Sequence, residues 1–284
     1  MSRAIEAPAL ERPRSAGEWL QLGVAGAIVL VMFYPTVWMV YSAFKSNREI
    51  FKTPFALPSE WRWGNLVEAW QVGGLGTLYL NSILITTVAV ALCVLFATGA
   101  AFAFTRLEFP GRQGCYRALL IGLLLPPPSV AIALFTQLRD MHLLNTPWAL
   151  ILPGAAWSLS LTVFLMRSYF NSMRPDMEEA ARLDGASTLQ IFWLISVPMV
   201  WPAMLTMIVL NTINIWNELL FALLFITDDA QRTLPVGLVR FSGYHSTDYA
   251  LVFSALTITT LPILILYFIL QKHVIAGLTA TAMD

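Results

Sequence analysis

Four polar side chains, Asn211, Asn214, Asn217 and Glu218, interrupt an apolar run from about Pro198 to Ile226. Steps of three to four residues place them on one broad face of a helix. Amides and a carboxylate at membrane depth are costly and turn either to a watery cavity or to a neighbouring helix. Facing a cavity they would hydrogen-bond a polar solute, and Glu218 could couple an ion; facing a helix they would bind the bundle together. Both roles stay open from the residues alone. A second polar island, Glu179-Ala180-Ala181-Arg182-Leu183-Asp184-Gly185-Ala186, lies between two long apolar runs. Chemistry of other kinds lacks its residues. A phosphate loop of the Walker type needs lysine after glycine, and Lys45, Lys52 and Lys272 do not follow one. Neither Gly-x-Ser-x-Gly nor His-Glu-x-x-His occurs. His142, His245 and His273 are scattered, and Cys93 and Cys115 read as separate thiols, so no metal site is expected.

The elements that must position these groups are membrane helices. The chain is 57% hydrophobic and 12% charged, against about a quarter charged in a soluble domain. Zero net charge leaves no nucleic-acid footprint. A spanning helix takes about 20 apolar residues, and about six such runs are present, so the fold class is an all-α polytopic membrane protein. Residues 1–18 form a polar tail, 19–44 a first span and 45–77 an extramembrane loop. Residues 78–271 carry five further spans and 272–284 a second tail. In the first loop Trp61, Trp63 and Trp70 suit either a headgroup-level position or a platform for a soluble partner, and Asn65 is expected to cap a short helix. The third span, Tyr116 to Leu138, contains Pro126, Pro127 and Pro128. Three residues without N–H donors cannot sit in an intact helix, so this span is expected to break beside a cavity. With the N-terminus inside, ten Lys/Arg fall in cytosolic segments and seven outside (Lys45, Arg48, Lys52, Arg62, Arg139, Arg232 and Arg240), the sign expected of the positive-inside rule.

The polar island has its own punctuation. Asp176 and Glu179 have capping-box spacing, predicting a helix from near Met177. Gly185 should stop it in the left-handed conformation. Ser187 and Gln190 repeat the box for a second short helix, which Pro198 should end. Leu189, Phe192 and Ile195, spaced by three, are expected to anchor that helix to the membrane domain. The product is an elbow, residues 176–198, outside the membrane between two spans.

Glu-Ala-Ala, three residues, Gly, nine residues, Ile, one residue, then a Leu-Pro pair is the "EAA loop" of permease subunits of binding-protein-dependent ABC importers. Glu179, Ala180, Ala181, Gly185, Ile195 and Pro198 fall on it, with Val197 in place of the leucine. Asp184, Ala186, Phe192 and Pro202 resemble the carbohydrate-importer branch. Arg106-Leu107-Glu108-Phe109-Pro110-Gly111-Arg112 is similar to the turn that ends the family's second span. Trp216-Asn217-Glu218 resembles a tripeptide common in sugar permeases, and Gly277 to Ala280 the tail of maltose-type permeases. The final Thr281 to Asp284 departs from the usual ending.

The resemblance, from about Leu20 to Ala280, implies the type I ABC importer permease fold in a bacterial or archaeal inner membrane, with both termini cytosolic. It implies a pore subunit, not an enzyme, that moves a sugar or sugar-like solute inward by alternating access. Glu179, Ala180, Ala181, Asp184, Gly185, Ala186, Ile195 and Pro198 would couple it to an ATPase dimer, and Asn211, Asn214, Trp216, Asn217 and Glu218 would line the solute path. ATP and Mg would be bound by those partners and no cofactor by this chain. A second permease, a periplasmic or lipid-anchored binding protein and membrane lipid complete the expected partners; nucleic acid is not among them. The alternatives are a secondary transporter coupled through Glu218, and a membrane scaffold without a transport role.

Overall fold

The computed structural model describes residues 16–239, 241 and 247–280. The expected tail residues 1–15, Arg240, Tyr244, His245 and Thr281 to Asp284 lie outside that range. Among the described residues the chain is helical, with α1 (Ala16–Ser42), α2 (Asn47–Lys52), α3 (Gly64–Val72), α4 (Leu75–Arg106) and α5 (Arg112–Ile121) in its first half. Then follow α6 (Pro127–Asp140), α7 (Trp148–Ser172), α8 (Asp176–Leu183) and α9 (Thr188–Ile191). The last are α10 (Val197–Trp216), α11 (Leu220–Phe225), α12 (Leu234–Val239) and α13 (Tyr249–Ala280). Five helices among them are long and apolar enough to cross a membrane, and α5 with α6 makes a sixth candidate bent by 106°.

α4 is the axis of the bundle. It packs along α7 and α10, and α13 lies against α10 on the other side. Close approach follows from small residues. A Cβ placed on Gly154 of α7 would sit 3.8 Å from Ile215 of α10 and 3.9 Å from Ala89 of α4, the small-residue contact that membrane helices use in place of a hydrophobic driving force. α1 stands apart, its apolar faces exposed and its far end edged onto α13 through Trp38 and Phe253, 4.9 Å between centroids.

The broken third span forms as expected and its geometry has a local cause. α5 tightens into a 3-10 turn at Gly122–Leu124, and Pro126 starts the next helix in extended geometry. The Leu119 carbonyl next to the break accepts the Ser160 hydroxyl of α7 at 2.9 Å. Gly122 makes that possible, since a Cβ there would meet Ser160 Oγ at 2.6 Å.

Several expectations need correction. Asn65 does not cap α3; its side-chain amide donates instead to the carbonyls of Ala43 and Lys45, both 2.9 Å, pinning α3 under the end of α1. α4 starts at Leu75, three residues before the expected Leu78. The fifth span stops at Trp216 rather than running to Ile226, because Asn217 to Leu219 leave the helical path before α11 begins. α13 continues through Gly277 to Ala280, so the described part of the second tail prolongs the last span.

Candidate functional site

Two places bring the singled-out residues together. The first is a cavity of about 690 Å3 bounded by α4, the third-span break, α7 and the α10–α11 junction. Gly122 to Pro127 form one wall, so the proline break does border a cavity. Asn211, Asn214, Trp216 and Glu218 line it, with Trp157, Ser158, Ser82, Thr86 and Thr233, which the sequence did not single out. Asn217 does not line it; its amide folds back to the Ile213 carbonyl at 2.7 Å.

The four polar residues therefore divide. Asn211 is buried and donates to the Thr162 hydroxyl of α7 at 3.0 Å, which in turn donates to the Ser158 carbonyl at 2.7 Å. Cys93 of α4 closes the trio, 3.5 Å from Thr162. Asn211 thus binds three helices together at the cavity floor. Asn214 is exposed into the cavity. Glu218 accepts the Phe221 N–H at 2.8 Å and so caps α11 where the broken span restarts. Trp216 is buried, edge-on to Tyr79 at 5.9 Å, whose hydroxyl donates to the Ile258 carbonyl at 2.6 Å. It separates this cavity from a more apolar groove between α4, α10 and α13.

The second place is the elbow. α8 begins at Asp176, after Pro175, without a side-chain cap, so the expected Asp176–Glu179 box is absent and Asp176, Glu178 and Glu179 lie in the first turn. Acidic residues there still complement the helix dipole. The other end forms as read. Gly185 has φ of 85°, Ala186 N–H bonds the Ala181 carbonyl at 2.9 Å and Gly185 N–H that of Arg182 at 3.1 Å, the paired bonds of a Schellman turn. Ser187 and Gln190 make the second box, with the Ser187 N–H to Gln190 Oε1 at 2.9 Å and the Gln190 N–H to Ser187 Oγ at 3.4 Å.

Pro198 does not end the second helix. The backbone widens into a π turn at Phe192–Ser196, Val197 N–H bonding the Phe192 carbonyl five residues back, and α10 continues. The wider turn makes room for the Pro198 ring and leaves its missing donor without consequence. It also shifts the buried face. Ile191, Phe192 and Ser196 are buried, whereas Leu189 is 66% exposed, so Leu189 is not an anchor. Phe192 packs on Phe102 of α4 at 5.1 Å.

The elbow residue that sequence reasoning missed is Glu178. It is buried, and its carboxylate takes Arg106 Nε at 2.5 Å and the Ser196 hydroxyl at 2.9 Å. Arg106 also donates to the Phe170 and Met173 carbonyls at 3.0 and 3.3 Å. Glu179, Ala180 and Asp184 are exposed. The signal available in sequence was Arg106 at the end of a span, a charge needing a partner. On the outer surface, Met177, Leu183 and Leu189 are 60%, 89% and 66% exposed.

At the opposite end of the bundle the first loop is closed by charge. Lys45 is fully buried, its ammonium donating to the Thr53 and Pro54 carbonyls at 3.1 and 3.0 Å. Burial pushes the Lys45 ammonium down from its ordinary range, and Glu49 opposes this. Hydrogen bonds from Ser59 and Ser46 pull the Glu49 carboxyl down to about 2. Asn145, in left-handed geometry at φ 59°, gathers the N–H groups of Thr227 and Asp228 at 2.6 and 2.9 Å and so ties the α6–α7 loop to the end of α11.

Comparison with known families settles the class. Residues 94–279 match the model of the binding-protein-dependent transport system inner membrane component. The chain belongs to that family. It is similar to the probable ABC transporter permease protein YurM of Bacillus subtilis (strain 168), 37% identical over 252 residues, covering 89% of this chain and 84% of that one. It is 34% identical over 247 residues to the diacetylchitobiose uptake system permease protein NgcG of Streptomyces coelicolor, covering 86% and 82%. A chain of the crystal structure of a bacterial ABC transporter involved in the import of the acidic polysaccharide alginate superposes with a TM-score of 0.78. At 22% identity, over 92% of this chain and 99% of that one, it shares the fold. The multi-pass, all-α ABC importer permease fold expected from sequence is thus borne out.

Proposed function

We propose that this permease is the pore subunit of an ATP-driven importer for a sugar or sugar-like solute. The observation that carries the reading is the elbow: the short helix α8 and the turn into α9, the first residues of the long helix that runs on through α10, locked to α4 from beneath by Glu178 and exposing Met177, Leu183 and Leu189. Large apolar side chains left exposed at this end, with the exposed Glu179 and Asp184 among them, suit a protein contact, and the partner in this family would be an ATPase dimer that binds ATP and Mg. Glu179, Ala180 and Asp184 are exposed on that outer side, Ala181 and Ala186 are half-buried at its edge, and Gly185 sets the bend between its helices. The elbow end is then cytosolic, with both termini on that side, and the first loop faces a periplasmic or lipid-anchored binding protein. A second, different permease would complete the pathway.

The solute class follows from the cavity and from relatives such as the diacetylchitobiose permease. Trp157 and the edge of the largely buried Trp216 border the cavity with apolar surface, and Ser158, Asn214 and Thr233 bring polar groups to it. Apolar rings with a few convergent polar groups suit a hydroxyl-rich ring. Alternating access would move the spans between two packings in response to nucleotide, with no covalent chemistry in this chain.

Purification in mild detergent tests the reading. An ATPase and a second permease should accompany the chain, a Leu183→Cys variant should cross-link to the ATPase, and disaccharides or amino-sugar oligomers with the binding protein should stimulate hydrolysis. Isolation of the chain alone, with transport independent of nucleotide, would overturn it.

A further inference from the structure

Glu178 faces away from the surface that a partner could reach. Its side chain is 6% exposed and that of Arg106 14%. The contacts around this pair join four segments: the last residue of α4 (Arg106), the final turns of α7 through the Phe170 and Met173 carbonyls, α8 through Glu178, and the π turn through Ser196. The elbow's other attachments are of a different kind. Ile191 and Phe192 hold it by apolar packing, which is non-directional and lets a helix tilt. The Gly185 turn joins α8 to α9 through backbone bonds and leaves open space around its own Cβ position. Charge-assisted hydrogen bonds fix direction as well as distance. They are the contacts on the inner face of α8 that oppose its rotation against α4.

We propose that Arg106, Glu178 and Ser196 are a rivet that carries movement of the elbow into α4 and α7, two of the helices that wall the cavity. They are positioning residues, distinct from the outer residues that would meet a motor subunit. This inference rests on the coupling role proposed for the elbow. Rigid transmission needs a joint that stays closed while both sides move, and this joint sits at the base of the two helices that pack most extensively on each other. Without it, the elbow would follow the ATPase while the spans stayed behind.

The test uses the full complex with its ATPase subunits in proteoliposomes, in a Cys115→Ser background, with Mg-ATP as the probe and vanadate added for labelling and cross-linking but not for the hydrolysis assay. Leu183→Cys carrying a benzophenone maleimide reports elbow–ATPase contact by photo-cross-linking, which needs no thiol on the partner. Leu124→Cys, on the cavity wall, reports the state of the spans by its rate of labelling with an impermeant maleimide. In the parent, nucleotide should change that rate. In Glu178→Gln the cross-link and ATP hydrolysis should stay within about twofold of the parent, while the nucleotide-dependent change should fall at least about fivefold; Arg106→Lys, which keeps the charge and loses the fork, should lie between. A span response of parental size in Glu178→Gln, or loss of its cross-link, overturns the rivet. Absence of the cross-link in the parent overturns the coupling role itself. Should Glu178→Gln fail to assemble, Ser196→Ala decides: a span response about two- to threefold smaller supports the rivet, and an unchanged one overturns it.

Discussion

Adjacent carboxylates on α8 point to different sides of it. Successive residues on a helix are turned by about 100°, so Glu178 reaches inward to Arg106 while Glu179 stays in solvent. The two should respond differently to neutralisation. Glu178→Gln leaves a buried guanidinium without its counter-charge, a change that costs about 3–5 kcal/mol when a buried pair is broken. Glu179→Gln removes an exposed charge at a helix start and should cost under about 1 kcal/mol. Unfolding in mixed micelles of detergent and SDS measures both. Glu49, in the first loop, supplies a pH dependence. Its folded value near 2 lies below the ordinary 4.5, so the fold favours the ionised form. The stabilisation is complete above about pH 4.5 and is lost as pH falls towards about 2. Hydrogen exchange across residues 45–62, corrected for intrinsic rates, should rise over that window in the parent and be flat with pH in Glu49→Gln.

At the scale of elements, the elbow and the broken spans are built from local backbone devices. Gly185 has open space around its Cβ position, so substitution there acts through φ alone. Gly185→Ala should cost about 1–2 kcal/mol of elbow stability, and the β-branched Gly185→Val more. Both should insert in the membrane normally, and the valine variant should lose solute uptake; normal uptake would contradict the coupling role. Loss of the Ser187 cap in Ser187→Ala should cost about 1 kcal/mol, read as faster exchange of the Gln190 amide. The breaks in the third and fifth spans follow one rule. Backbone freed from helical bonding is met by a side chain from a neighbour or a cap, the Ser160 hydroxyl in one case and Glu218 in the other.

At the scale of the whole molecule, α4, α7 and α10 are held by close packing at Gly154 and by the Asn211–Thr162–Cys93 trio. Gly154→Ala places a methyl at ordinary contact distance and should be neutral or stabilising by up to about 1 kcal/mol. Gly154→Leu overfills the contact with Ile215 and Ala89 and should destabilise by about 1–3 kcal/mol. Asn211→Leu should alter the stability of the bundle, whereas Asn214→Leu should leave it unchanged and alter stimulation of the ATPase by solute. Equal behaviour of the two in both assays would contradict the division of roles seen in the cavity.

What could be read from residue order alone was whatever depends on near neighbours in the chain. The existence of the spans, the proline break, the glycine stop of α8 and the Ser187–Gln190 cap arise from a few consecutive residues each and formed as read, although the fifth span ended ten residues early at Trp216. What residue order left open was facing. A helix surrounded by lipid on one side and apolar protein on the other is hydrophobic all round, so its pattern does not say which polar group meets a cavity and which meets a helix. Asn211 and Asn214, one turn apart, went different ways because Thr162 of α7 stands opposite only the first. Glu178 was passed over for Glu179 for the same reason: its partners, Arg106 and Ser196, are 72 and 18 residues distant in the chain and meet it only when α4 and the π turn close beneath the elbow.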